Sequence, residues 1–136
     1  MKVLADTPIW SAAFRRTETA ASPLRAELEW LVANGAVAIV GPVRQELLSG
    51  IRQQAQFEQV RGALRSFPDI PLQTEDFEMA AQYFNLCRSK GVQGSMTDFL
   101  ICAVAVRQKL EIFTTDADFR HYQKHLPIAL YASAQA

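Results

Sequence analysis

Acidic residues follow the short apolar runs of this 136-residue chain. Asp6 closes the run at 3–5, and Asp116 closes the run at 112–114. A third run, at 37–40, leads into a helical segment that also carries an acid. If the runs are parallel strands, their carboxyl ends share one edge of a sheet, where ligands bind in sheets of this kind. The pattern predicts an α/β fold with a site at that edge.

Helical patterns separate the strand-like runs along most of the chain. This alternation predicts a parallel sheet covered by helices on both faces. We expect one domain over 1–136, because the length fits a single core and no repeat or linker interrupts the pattern. The predicted sheet has four to five strands, placed at Lys2–Ala5, Ala36–Val40, Glu111–Thr114, Ile128–Tyr131 and, as a short edge strand, Asp69–Ile70.

Two further acids are predicted to lie on helices. Asp98 falls in the first turn of a helix that is almost wholly apolar over 99–106, with Ser95 or Thr97 as its cap. That helix is expected to be central and covered on all sides. Glu46 lies on the helix that begins after Gly41-Pro42. All four acids could therefore meet at the carboxyl edge of the sheet.

The charge balance limits the partners that the whole surface can attract. Fourteen basic and fourteen acidic residues cancel, so polyanion binding must come from a local patch or from metal ions. Cys87 and Cys102 fall in apolar helical stretches and are expected to be free core thiols, which suits a reducing cytosol. The longest apolar stretch is far shorter than the roughly 20 residues of a membrane span. No targeting segment is visible, so we expect a cytoplasmic protein that does not contact a membrane.

Each acid alone has a structural explanation, as a helix cap, a favourable charge at a helix start or a solvated side chain. Together they would repel one another, at roughly 4 kcal/mol for two charges about 4 Å apart in an effective dielectric near 20. A cation would compensate that repulsion, and carboxylate oxygens favour Mg²⁺ or Mn²⁺ over zinc. His121 and His125 are one helical turn apart but lack a third ligand, so we interpret them as exposed polar residues. Trp10 is expected to be buried in the core or at an interface.

Four segments come in the order and spacing of a known family. They are Asp6-Thr7 after the first strand, Glu46 within 43–47, Asp98 within 97–103, and the Thr-x-Asp-x-Asp-Phe form over 114–119. The chain resembles a PIN domain of the VapC toxin type, and the resemblance extends from the first residue to about Tyr131. It implies a three-layer α/β/α fold. It also implies that the metal-binding and catalytic acids are Asp6, Glu46, Asp98 and Asp116, with Asp118 as an auxiliary ligand and Thr114 orienting them through its hydroxyl.

The resemblance further implies an activity and partners. The expected activity is that of a Mg²⁺- or Mn²⁺-dependent endoribonuclease, which hydrolyses RNA phosphodiester bonds with a metal-activated water. The expected partners are an RNA substrate, a cognate VapB-like antitoxin that blocks the acids, and a second copy in a homodimer. Basic residues near the acidic edge are candidate RNA contacts: Arg15, Arg16 and Arg44, and also Arg88 and Lys90.

Two other classes of protein remain open from the residues alone. A PIN-like module could bind RNA or protein without cutting, although a complete set of acids argues against it. A magnesium-dependent phosphatase or a receiver domain also places acids at strand ends. The phosphatase would need Asp-x-Asp after the first strand, whereas Asp6 is followed by Thr7-Pro8. The receiver would need a phosphate-contacting Lys after a late strand, and Lys124 fits that role poorly.

Overall fold

The structure, a computed structural model, describes residues 2–14 and 23–132. The strands are β1 (Val3–Ala5), β2 (Val37–Ala38) and β3 (Glu111–Phe113). The helices are α1 (Thr7–Phe14), α2 (Pro23–Ala33), α3 (Gly41–Leu48), α4 (Gln54–Leu64), α5 (Thr74–Ser89), α6 (Met96–Gln108) and α7 (Asp118–Gln123). Arg15 and Arg16, two of the predicted RNA contacts, lie outside the described residues.

The sheet is parallel with the order β2-β1-β3. Val3 is paired with Val37 on one side and with Glu111 on the other, so the three strands are in register from their first residues. Because β1 lies in the middle, its three residues are completely buried, as a central parallel strand requires. The predicted parallel α/β architecture is confirmed.

The predicted strand number of four to five is wrong for the described residues, which form three strands. At the two remaining predicted positions the chain makes a single parallel bridge, Ile39 with Asp69 and Ile112 with Leu130. Pro68 and Pro71 enclose the first of these segments, and proline has no N–H to extend a ladder. The two segments therefore continue the sheet at its edges without becoming strands.

Strand order and handedness place helices on both faces of the sheet. The connection from β1 to β2 runs one way across the sheet, and the connection from β2 to β3 runs back past β1. Since crossovers between parallel strands are right-handed, the two connections leave the sheet on opposite faces. Helix α3 nevertheless packs against α1, and α4 lines a cavity together with α1 and α2. The direction of winding changes between β1 and β3, which makes the crevice beyond their carboxyl ends the topological switch point.

Helix α6 forms the centre of the core, as its apolar sequence predicted. Seven consecutive residues, Phe99 to Ala105, are buried on all sides of the helix. Trp10 is also buried, its indole N–H donates to the carbonyl of Ala5 at 3.1 Å, and its ring packs edge-on against Phe67. Cys87 and Cys102 are buried free thiols. None of the described helices is long and apolar enough to cross a membrane.

Candidate active site

Asp6 lies at the switch point, directly after β1. Its backbone N–H donates to the carbonyl of Phe113 on β3 at 2.9 Å, so the neighbouring strand fixes its position. Its side chain is only 5% exposed and accepts two hydrogen bonds, from the Thr7 N–H at 2.8 Å and from the Thr114 hydroxyl at 2.8 Å. The carboxylate is thus held at the carboxyl edge of the sheet by Thr7, which follows β1, and by Thr114, which follows β3.

Thr114 connects Asp6 to the second acidic segment. While its hydroxyl donates to Asp6, the same oxygen accepts the backbone N–H of Asp116 at 3.0 Å. Asp116 Oδ1 in turn accepts the N–H of Asp118 at 2.9 Å, which shapes the entry into α7. The structure therefore brings Asp116 to Asp6 through Thr114, as expected of an orienting threonine. Asp118 is exposed at the start of α7.

Asp98 approaches from the first turn of α6. Its backbone N–H donates to the Ser95 hydroxyl at 3.0 Å, which confirms Ser95 as the helix cap. Its carboxylate oxygen Oδ2 accepts a hydrogen bond from the hydroxyl of Tyr122 on α7 at 2.7 Å. Both the backbone and the side chain of this acid are therefore fixed by direct contacts.

Electrostatic coupling shows that the acids are near one another. Burial raises the pKa of Asp6 to about 6, and repulsion from Asp98 and Glu46 adds to the effect, against the hydrogen bonds from Thr114 and Thr7 that lower it. Burial also raises the pKa of Asp98, with a further contribution from Asp116. Buried carboxyls that resist ionisation beside other acids are typical of functional sites.

Glu46 and Arg44 occupy different environments on α3. Glu46 is exposed on α3, and its charge adds to the raised pKa of Asp6. The Arg44 guanidinium donates to Asp69 at 3.0 Å and to the carbonyls of Leu64 and Phe67. These bonds attach the loop after α4 to α3 and explain the position of Arg44 without RNA. Its RNA contact stays an untested prediction.

The residues present fit a hard divalent cation in their chemistry. The four acids are oxygen donors, and no Lys or Arg of the described ranges forms an ion pair with them. The Thr7 hydroxyl next to Asp6 is buried without a hydrogen-bond partner in the described part of the chain, a state that costs roughly 1–3 kcal/mol. A ligand at this edge would meet the carboxylate oxygens of the acids and the unpaired hydroxyl of Thr7.

The acids do not form a closed cage. Among the described residues, no three His, Cys, Asp or Glu side chains are gathered tightly enough to hold a metal by themselves. Mg²⁺ commonly keeps several waters and binds through one or two carboxylates together with substrate phosphates. An open group of acids suits that mode of binding, and it does not suit a fully dehydrated site.

Tyr122 is the site residue that sequence reasoning missed. The sequence predicts a helix over 117–126, and a tyrosine carries no motif there. The only sequence signal was its spacing: it falls four residues after Asp118 and three after the buried Phe119, on the inner side of α7.

The described residues line several cavities, two of which adjoin the segments that carry Asp98 and Asp118. One of about 260 Å³ is lined by Asp118, His121 and the loop 91–93. A second, of about 230 Å³, is lined by Arg88, Gln93 and Gly94 among others. A larger cavity of about 610 Å³ lies away from the acids, between α1, α2 and α4. Two small cavities therefore adjoin the acidic edge, where Asp118 is exposed and Asp6 is buried.

Comparisons with known proteins agree with this geometry. The family model for the PIN domain matches residues 3–125. Ribonuclease VapC11 of Mycobacterium tuberculosis is 30% identical over 121 residues, which are 86% of this chain and 88% of that protein.

Two solved structures share the fold at low sequence identity. FitAcB from Neisseria gonorrhoeae superposes with a TM-score of 0.77 at 18% identity, covering 98% of this chain and 99% of that one. VapBC2 from Rickettsia felis, bound to a DNA fragment, superposes with a TM-score of 0.76 at 20% identity, covering 96% and 98%. The chain belongs to the PIN domain family and, within it, to the VapC ribonuclease group.

Proposed function

We propose that this protein is a metal-dependent endoribonuclease and the toxin of a toxin–antitoxin pair. The observation that carries the proposal is the set of coupled acids at the switch point, in which Thr114 links Asp6 to Asp116 and burial opposes ionisation of Asp6 and Asp98. The VapC relative is named a ribonuclease, and its sequence matches this chain over most of both proteins.

In this function the acids would bind the cation, and Thr114 would orient Asp6. Asp6, Asp98 and Asp116, with Glu46 opposite, would hold Mg²⁺ or Mn²⁺ and orient it toward a phosphate, with Asp118 as an auxiliary ligand. A divalent cation bound there supplies Lewis-acid activation of water and stabilises charge on the phosphodiester. Thr114 keeps the carboxylate of Asp6 pointing to the site by donating to one of its two oxygens. No side-chain nucleophile is required, so the absence of a catalytic triad from the sequence is consistent with this chemistry.

RNA would approach along the edge next to the loop before α6. Arg88 is exposed and lines the cavity that Gly94 and Phe99 also line. Phe99 directly follows Asp98 in the chain. The Arg88 guanidinium would contact a phosphate, a contact that positions a strand without reading its sequence. Because the net charge of the chain is zero, such a local contact together with the cation would supply the attraction.

The proposed partners are a VapB-like antitoxin and a second copy of the chain. Solved relatives include toxin–antitoxin complexes, such as VapBC-5 from Mycobacterium tuberculosis. An antitoxin arginine that pairs with the acids would compete with the cation for the same carboxylates. The homodimer is a prediction for which exposed apolar side chains of α5 and α6 offer a surface, with Phe77 54% and Met96 78% exposed.

The test is RNA cleavage by the purified protein with Mg²⁺ or Mn²⁺, followed by mapping of all new 5′ ends in total cellular RNA. The Asp98→Asn variant should keep the fold, because an amide oxygen can still accept the Tyr122 hydrogen bond. Its cleavage rate should fall by a factor of about 100 or more, because the variant lacks one of the negative charges that would bind the metal. Glu78→Gln is the matched control, since Glu78 is an exposed acid of α5 away from the site.

Discrete cuts that require the cation and disappear in Asp98→Asn, but not in Glu78→Gln, would support the proposal. Full activity of Asp98→Asn, or cuts that persist in EDTA, would contradict it. Metal binding without any cleavage would instead favour the non-cleaving PIN-like module.

A further inference from the structure

Tyr122 makes an unusual contact for a core aromatic residue. Its side chain is completely buried, yet its hydroxyl reaches the acidic edge and donates to Oδ2 of Asp98 at 2.7 Å. A buried hydroxyl without a partner would be costly, so this hydrogen bond is a fixed part of the packing.

The ring of Tyr122 is held on several sides. It packs against Phe99 at 4.9 Å and against Phe119 at 5.1 Å between ring centroids. Phe99 belongs to the same α6 turn as Asp98, so the aromatic contact and the hydrogen bond join α7 to the same short stretch of α6. The hydroxyl therefore has little freedom to move relative to the carboxylate.

Gly94 completes this arrangement from the loop before α6. A Cβ at that position would lie 2.3 Å from Oη and 2.7 Å from Cζ of Tyr122. Real side chains do not approach so closely, which means that only a residue without Cβ leaves room for the hydroxyl. The chain thus provides a fitted space through which the tyrosine reaches Asp98.

We propose that Tyr122 is a positioning residue for the metal site: its hydroxyl holds Oδ2 of Asp98, and Gly94 provides the space for that contact. With Oδ2 held by Tyr122, the carboxylate of Asp98 keeps one orientation toward a bound cation. Contacts of this kind, made to a ligand rather than to the metal, commonly change metal affinity by a factor of about 10 to 100. The inference rests on the proposed function, since it assumes that Asp98 binds the cation.

The experiment measures Mn²⁺ affinity, by electron paramagnetic resonance of the free ion, in the wild type and in Tyr122→Phe. Phenylalanine keeps the ring packing and removes only the hydroxyl, and circular dichroism verifies that each variant is folded at the temperature used. We expect Mn²⁺ to bind about 10-fold or more weakly to Tyr122→Phe. The matched control is Tyr131→Phe, which loses a similar hydrogen bond, to Glu27 at 2.8 Å, and should bind Mn²⁺ as the wild type does.

A double-variant cycle separates positioning from general loosening of the fold. In an Asp98→Ala background, adding Tyr122→Phe should leave the residual Mn²⁺ affinity unchanged, because the hydroxyl acts through that carboxylate alone. In RNA cleavage, Tyr122→Phe should raise the Mn²⁺ concentration needed for half-maximal rate and leave the KM for RNA unchanged. A merely structural role of Tyr122 would not raise the Mn²⁺ requirement while leaving the KM for RNA unchanged.

The outcomes distinguish the two proposals. If the wild type binds Mn²⁺ and cuts RNA while Tyr122→Phe matches it in both, the positioning role is overturned and the proposed function stands. An equal loss of affinity in the Asp98→Ala background would also overturn the positioning role. If the wild type neither binds Mn²⁺ nor cuts RNA, both proposals fail together.

Discussion

Gly94 shows how a single residue without a side chain can decide the geometry of a site. Its Cα lies against the hydroxyl of Tyr122, and a Cβ there would also meet Cε2 of Phe99 at 2.9 Å. Since both aromatic rings are buried, neither can move aside without disturbing the core. In the sequence, however, Gly94 is indistinguishable from an ordinary glycine that ends a helix.

At this scale we predict opposite effects for two glycine substitutions. Gly94→Ala should destabilise the protein by about 1–3 kcal/mol, because the added methyl overpacks a filled region. Gly62→Ala should stabilise it by roughly 0.5–1 kcal/mol, because Gly62 lies within α4 with open space around it and alanine restricts the unfolded chain. Urea unfolding of both variants measures the difference, and a neutral Gly94→Ala would show that the ring contacts are looser than described.

Pairs of helices depend on polar contacts as well as on apolar faces. Arg107 on α6 binds Asp76 on α5 through two hydrogen bonds, of 2.6 and 2.8 Å, and also donates to the carbonyl of Pro71. Asp76 is only 1% exposed, and the hydrogen bond from Arg107 is the main reason that its pKa is lowered. This ion pair fixes how α5 lies along the central helix.

We predict that Arg107→Ala destabilises the protein at pH 7 by more than the loss of an exposed ion pair does, because it leaves the buried carboxylate of Asp76 without its cation. Since the pKa of Asp76 is lowered in the folded state, the contribution of the pair is present above pH 3.8 and is lost as the pH falls further. Arg61→Ala, which breaks an exposed pair with Glu58, should cost less than about 1 kcal/mol. Equal losses in urea unfolding would contradict a special role for the α5–α6 pair.

The acidic edge lowers the stability of the whole folded molecule, because folding buries Asp6 beside other acids. The four acids come from separate segments, and folding brings them together while it buries Asp6. The net charge of the chain is zero, so the repulsion is a local property of the site and not of the overall charge. A cation would remove this repulsion and would stabilise the folded state in proportion to its binding.

For the metal-free protein we predict that Asp6 makes the stability fall as the pH rises from about 4 to about 7. The pKa of Asp6 is raised from 3.8 to about 6 on folding, so its favourable contribution is fully present below pH 3.8 and is lost as the pH rises through about 6. The full effect is about 3 kcal/mol. Asp6→Asn should abolish most of this dependence and be more stable than the wild type at pH 8, in thermal or urea unfolding with EDTA. A pH profile that is the same in both proteins would refute it.

The fold could be predicted from the sequence as far as its local patterns allow. Short apolar runs and helical spacing predicted the parallel sheet, the buried α6 and a cap at Ser95 or Thr97, of which Ser95 is the cap, because these depend on residues that are close along the chain. The edge segments at Asp69 and Leu130 were predicted as strands and are single bridges. Strand length there depends on pairing with distant residues, which a local pattern does not contain.

The sequence by itself placed Asp6 and Asp116 at the carboxyl edge, because each follows a strand of a parallel sheet and lies beyond its carboxyl end. Asp98 and Glu46 come from helices, and their approach to this edge depends on how those helices pack. Only the tertiary structure decided how the acids are held. Thr114 donates to Asp6 across 108 positions, and Tyr122 donates to Asp98 across 24 positions, through a space that Gly94 leaves open. Hydrogen bonds, burial and the pKa of Asp6 depend on what folding brings into contact, and the periodicity of one segment carries no information about the side chains of another.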